Sequence, residues 1–273
     1  MLRMKWFAAA MLAVVAVLAF AASAGAQTIP AAPTATSTVV VPRGQPVQFA
    51  FTADTTHDPV IAQVTSSAED AIQMAIERHP TIRGFRVQVN DVETDCGGDN
   101  TLSATEIVSN TENTAVLGNI CSSGMVSALP IYQAAGVVTI SGSATSSVLP
   151  ALGPTVFNRT AVVSDAVGDA GDIWASQVTA LPSVLEWEQE FEAEFGSAPF
   201  LEPYPALYFD ATALLLSRLQ QASRVVNGNL VINRAALASA VRHTTNFQGV
   251  SCTITLDPST GNRIDDLAGC AQN

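Results

Sequence analysis

Thr114-Ala115-Val116-Leu117-Gly118-Asn119-Ile120-Cys121-Ser122-Ser123-Gly124 runs from an apolar stretch straight into a small polar turn. Met125, Ala128, Leu129 and Tyr132 follow at helical spacing, and Gly136 closes that helix in the manner of a left-handed cap. Residues 137–140 then read as a short buried strand, closed by a second polar loop, Ser141-Gly142-Ser143-Ala144-Thr145-Ser146-Ser147. Strand, loop, helix, strand, loop is the unit of a doubly wound parallel α/β sheet. It sets both serine-rich loops at the carboxyl ends of successive strands, the edge where open parallel sheets bind ligands near the point of strand-order reversal.

The same alternation extends outward. Residues 46–52 read as the first strand and residues 66–78 as a helix with Ala68, Ala71, Ile72, Ala75 and Ile76 on one face, stopped by Pro80. Residues 85–92 alternate as a strand whose polar end, 93–98, belongs at the sheet's carboxyl edge, and residues 101–110 fit a helix with Asn100 as its N-cap. Downstream, residues 162–180 carry no assignable pattern. Ser183-Val184-Leu185-Glu186 reads as a capping box opening an acidic helix that Gly196 stops. Its alternating Glu186, Glu188, Glu190, Glu192 and Glu194 spread around the helix as a solvated surface. Residues 206–222 form an apolar helix, Asn233 caps another through Arg242, and residues 252–256 with a turn at 258–262 suggest a hairpin.

At the amino end, Arg3 and Lys5 precede an apolar run and the small residues Ala24-Gly25-Ala26, the three-part layout of a cleaved secretory signal over 1–26. An anchor would need ~20 apolar residues, more than this run supplies. Residues 27–45, rich in Ala, Pro and Thr, read as an exposed leader. Removing the signal takes two of the 12 basic residues and none of the 24 acidic ones, leaving a net charge of −14. Nucleic acid and anionic lipid are therefore poor partners. Lys5 is the only lysine, which excludes a Schiff-base lysine or a Walker-type phosphate loop from the mature chain.

Cys96, Cys121, Cys252 and Cys270 in an exported chain imply disulfides, and of the three possible pairings the sequence-local one is simplest. No Cys/His metal spacing is present, because His57, His79 and His243 lie far from every cysteine. No catalytic motif stands out either, with no G-x-S-x-G, H-E-x-x-H or G-x-G-x-x-G after a strand, so no enzyme and no cofactor is expected. The stretch Asp257-Pro258-Ser259-Thr260-Gly261 resembles part of a calcium loop, but Pro258 and the missing terminal Glu favour a turn. Ser122 and Ser123 stand at a helix start, where free amides and the dipole favour a small anion. Equally, Ser123 can serve only as an N-cap and residues 143–147 only as a turn.

The run from Leu117 to Ser123, then Ile131-Tyr132, Gly136 and Ile140 to Thr145, resembles the periplasmic branched-chain amino-acid-binding proteins, type I solute-binding components of ATP-driven importers. Phe191 to Gly196, Tyr208-Phe209-Asp210-Ala211 and Phe247 to Val250 are similar to later parts of that family. The resemblance implies a Cys96–Cys121 disulfide and a ligand site of Ser122, Ser123, Ser143, Ala144 and Thr145. In it, Ser122 and Thr145 offer hydroxyls and amides to a carboxylate, and the Ser143 carbonyl receives an ammonium group. It also implies a small amino acid or related carboxylate as ligand, importer membrane subunits as partners and a periplasmic or secreted location. Family members have two lobes, and the short interval between residue 160 and the helix near 184 suggests a shortened chain. The expected organisation is one lobe in two parts, 46–160 and 183–273, joined by a connection over 161–182 in place of the second lobe. An exported interaction or sensor module built on the same lobe is the alternative.

Overall fold

Thr38–Val41 (β1) falls inside the stretch expected to be an exposed leader, yet Val39 and Val41 are buried. The cause is pairing: β1 runs antiparallel to Asn229–Asn233 (β9), which pairs in turn with Ser223–Val226 (β8). The fold thus begins before Pro46. The structure, a computed structural model, describes residues 37–165, 168–264 and 267; the expected signal, most of the leader and Cys270 lie outside them.

The main sheet holds Val47–Ala53 (β2), Thr81–Ile82 (β3), Phe85–Glu93 (β4), Asn113–Leu117 (β5), Val138–Ser141 (β6) and Phe157–Arg159 (β7). Their order is β3-β4-β2-β5-β6-β7. All neighbours are parallel except β3, which runs antiparallel to β4 at one edge. Because side chains alternate along a strand, Phe49, Phe51, Ala115, Leu117, Val138 and Ile140 enter one core while Ala50 and Val116 enter the other. Each large aliphatic or aromatic side chain so buried contributes about 1.5–3 kcal/mol.

The helices are Pro59–Arg78 (α1), Thr101–Ser109 (α2), Ser122–Ala135 (α3), Leu149–Leu152 (α4), Ala170–Thr179 (α5), Pro182–Phe195 (α6), Tyr204–Ala222 (α7) and Arg234–Arg242 (α8). Residues of α1 and α7 fill the core on one face of the sheet, and those of α2 and α3 fill the core on the other. This is the doubly wound lobe expected from the sequence. Trp187, Phe191 and Phe209 form a third cluster between α1, α6 and α7. The chain ends its described course in the hairpin of Phe247–Gly249 (β10) and Cys252–Ile254 (β11).

Several boundaries differ from expectation for local reasons. α1 starts at Pro59 rather than Ser66, because Asp58 accepts hydrogen bonds from the amides of Val60 and Ile61, and Pro59 suits the first helical position. Asn100 does not cap α2 with its side chain; Asp99 receives the Thr101 amide at 2.9 Å, and Asn100 instead bonds Asp95 and Gly124. The capping box at Ser183 does not form. α6 opens at Leu181-Pro182, and the Ser183 hydroxyl donates to the Val250 carbonyl at 2.7 Å. β11 pairs back to β10, and across the turn at 258–262 the described residues form one isolated bridge, Leu256 to Arg263, with the Ile264 amide donating to the Thr255 carbonyl at 3.0 Å.

Candidate functional site

Strand β2 has β4 on one side and β5 on the other, so the chain winds outward in opposite directions from it and the order reverses between β2 and β5. The carboxyl ends of β2, β4, β5 and β6 deliver residues 54–57, 93–98, 118–123 and 141–147 to one rim. Gly118 lets β5 lie this close to β2: its φ is +113°, and a Cβ there would stand 2.0 Å from Thr52 Oγ1.

The two serine-rich loops meet at this rim. The Ser146 amide donates to Ser122 Oγ at 3.1 Å. Ser122 is the first residue of α3, and the preceding Cys121 is bonded to Cys96, tying the start of α3 to the end of β4. Cys252 is also disulfide-bonded, and its expected partner Cys270 lies outside the described residues. The Ser123 hydroxyl donates to the Cys96 carbonyl. The Ser143 hydroxyl donates to the Ile120 carbonyl at 2.6 Å, and Ala144, fully buried, gives its amide to Ser141 Oγ at 2.9 Å. Thr145 lies at the same rim, its carbonyl accepting the Ser164 amide at 3.1 Å.

Four residues outside the expected set hold this arrangement. Tyr208 on α7, fully buried, puts its hydroxyl 3.1 Å from Ser143 Oγ and donates to the Asn119 carbonyl at 3.2 Å, so one phenol touches both loops. Burial pushes the Tyr208 phenol up, so it stays neutral. Arg159, at the end of β7, lies beneath the second loop and donates through Nη1 to the carbonyls of Ala144 and Ser146 at 3.0 and 2.9 Å. Burial lowers its pKa to about 10, which leaves it charged. Asn119 is buried, and both polar atoms of its side chain lack a protein partner. Asp165 accepts the Ser147 amide at 2.8 Å, a hydrogen bond that holds its carboxyl below the usual range.

Asp165 belongs to the stretch that resisted assignment, and that stretch covers the rim. Thr145, Trp174, Tyr204 and Leu207 line a void of about 10 Å³ between the second loop and α5. That is room for about one water. A larger cleft of about 790 Å³ lies elsewhere, between α1, α7 and β10. Its guanidinium, Arg78, is already engaged, pairing with Glu190 and stacking 4.7 Å over Phe209. Among the described residues no helix is long and apolar enough to cross a membrane.

No protein-family profile and no curated protein matches the chain. Solved structures do. The leucine binding protein LivK of Thermotoga maritima gives a TM-score of 0.60 at 15% identity, covering 80% of this chain and 93% of that one. The branched-chain amino acid transporter substrate binding protein LivJ of Streptococcus pneumoniae, in complex with isoleucine, gives 0.59 at 13% identity, covering 80% and 94%. A solute binding protein of an ABC transporter from Rhodopseudomonas palustris, in complex with 3,4-dihydroxybenzoic acid, gives 0.65 at 14% identity, covering 80% and 90%. The fold is that of the type I solute-binding proteins.

The likeness to these solute-binding proteins takes in between 90% and 94% of their own lengths. It reaches nearly from end to end of the neighbours, which undercuts the expectation of a shortened chain. Among the described residues a single parallel-rich sheet carries the likeness, and α5 with its flanking turns occupies the interval between β7 and α6.

Proposed function

We propose that the chain is an exported solute-binding protein of an ABC importer that takes a small carboxylate-bearing solute at the rim of Ser122, Ser123, Ser143, Ala144 and Thr145. The hydrogen bond between Ser146 and Ser122 carries this reading, because it puts the start of α3 and the second loop at one seat. A helix start offers unpaired amides and the positive end of its dipole, and Arg159 beneath the loop adds a buried cation. The neighbours bind isoleucine in one case and 3,4-dihydroxybenzoic acid in another, and a carboxylate is the group common to both. An amino acid is the first candidate, its ammonium received by the Ser143 carbonyl. The apolar run over 1–26 supplies the export signal, and the solute is passed on to importer membrane subunits without chemistry.

The void behind Thr145 admits about one water, and Asp165, exposed beside the second loop, holds the Ser147 amide next to the proposed seat. The test is a calorimetric and thermal-shift screen with leucine, isoleucine and benzoate, repeated on Ser122→Ala and Thr145→Ala. Binding that is lost or weakened severalfold in both variants supports the seat. A solute that stabilises the protein equally in both variants rules it out.

A further inference from the structure

At the opposite end of the same rim, Asp54 follows β2, Glu93 ends β4, and His57 stands just before α1. Ala53 pairs with Glu93 across the parallel ladder, so Asp54 leaves β2 one residue beyond that pair and the turn after it brings its carboxylate to the same end of the two strands. The His57 amide donates to Asp54 Oδ1 at 3.3 Å, turning the imidazole back over the strand ends. His57 Nδ1 lies 3.1 Å from Asp54 Oδ1 and 3.8 Å from Glu93 Oε1, and one donor atom from each of the three residues falls within 4.8 Å of the others.

Both carboxylates converge on the same ring nitrogen. Nδ1 is within hydrogen-bond distance of Asp54 Oδ1 alone; Glu93 Oε1, farther off, accepts from the Thr55 amide at 3.0 Å and the Thr56 hydroxyl at 2.8 Å, and a lone pair of each carboxylate remains for an ion. For bonds of about 2.0–2.1 Å, donor atoms on a tetrahedral ion stand about 3.4 Å apart, between the two observed separations. The other nitrogen, Nε2, lies 3.9 Å from a different carboxylate, Asp95, beyond hydrogen-bond distance but near enough to add negative charge to the cluster. The carboxylates are held in place: Cys96 donates its amide to Asp54 Oδ2 at 2.7 Å, and the Thr55 and Thr56 hydroxyls donate to Glu93 at 2.7 and 2.8 Å. The ion pairs that Asp54, Glu93 and Asp95 form among the described residues are all with His57, so no arginine neutralises them.

We propose that Asp54, His57 and Glu93 bind a divalent transition-metal ion of the zinc class, with a fourth position open to solvent. Two carboxylates and a neutral imidazole carry the charge that balances a divalent ion, and the nitrogen donor favours zinc, cobalt or nickel over calcium. The site meets the solute seat at Cys96, whose amide holds Asp54 and whose carbonyl accepts the Ser123 hydroxyl, but it shares no ligand atom with the seat, and ion binding is read with no solute present. The experiment titrates Zn²⁺, and Co²⁺ as a spectroscopic probe, into untagged metal-free protein by calorimetry and absorption. One ion per chain is expected, with affinity at least roughly tenfold weaker in His57→Ala and in Glu93→Gln and unchanged in His243→Ala. His57 and Glu93 are exposed, and circular dichroism checks that these variants stay folded. The proposal is overturned if the wild-type protein takes up no ion in a one-to-one ratio, or if His57→Ala binds as tightly as wild type.

Discussion

The Tyr208 phenol stands 3.1 Å from the Ser143 hydroxyl and donates to the Asn119 carbonyl, so a residue of α7 joins the loop after β6 to the loop after β5. Its ring meets Phe51 of β2 edge-on at 5.7 Å, fixing the hydroxyl's position from below. Tyr208→Phe keeps the ring and deletes the junction. We expect a loss of about 1–2 kcal/mol, the cost of an unmade buried hydrogen bond, read as a melting temperature lower by a few degrees. Unchanged melting would mean that the two loops hold together without the phenol.

Asp165 already occupies the Ser147 amide. If this carboxylate blocks the seat, Asp165→Ala makes solute entry easier, and calorimetry with the best solute of the screen should give severalfold tighter binding. Equal or weaker binding would show that the turn helps to hold the solute instead.

The Cys96–Cys121 bridge closes a loop with a sequence separation of 25 at the rim. A loop of that size stabilises by about 3 kcal/mol in the chain-entropy account. The double variant Cys96→Ala/Cys121→Ala should lose about this much in urea unfolding, with secondary structure retained. A loss under about 0.5 kcal/mol would mean that native strain or residual unfolded structure cancels the entropic gain.

Glu202 is half-buried, both carboxyl oxygens are shut off from solvent and lack a protein partner, and desolvation raises its pKa to about 8, with Glu188 adding to the effect. The native state therefore holds a proton that the unfolded chain releases near the ordinary value of 4.5. The sign follows: the stability this group contributes is complete below about pH 4.5 and is lost as pH rises towards about pH 8. Glu202→Gln should flatten that fall when melting temperatures are compared across the range. Parallel curves for the two proteins would contradict the raised pKa.

What could be read from residues alone follows from how local each signal is. β5, α3, its Gly136 cap and the loop after β6 announce themselves by periodicity within a few residues, and they carry the expected rim. Strand β1 does not, because it is short and half exposed and is stabilised by β9 far away in the chain; β8 and β9 pair with each other across Asn227-Gly228, a local hairpin signal that went unread. Arg159 reads as an ordinary surface cation until the fold buries it under residues 144–146. The Asp54, His57 and Glu93 cluster escaped a search for metal spacing because strand pairing, not sequence interval, unites it. Asp58-Pro59 was legible as a helix start and was missed in favour of the apolar face further on.

Strand β1 finds its hydrogen-bonding partners at Leu230–Asn233, across most of the described chain. During synthesis β1 must therefore wait, unpaired, until residues 230–233 have emerged. Such distant closure is slow. The small sheet of β1, β9 and β8 can close only after every strand of the main sheet has been made.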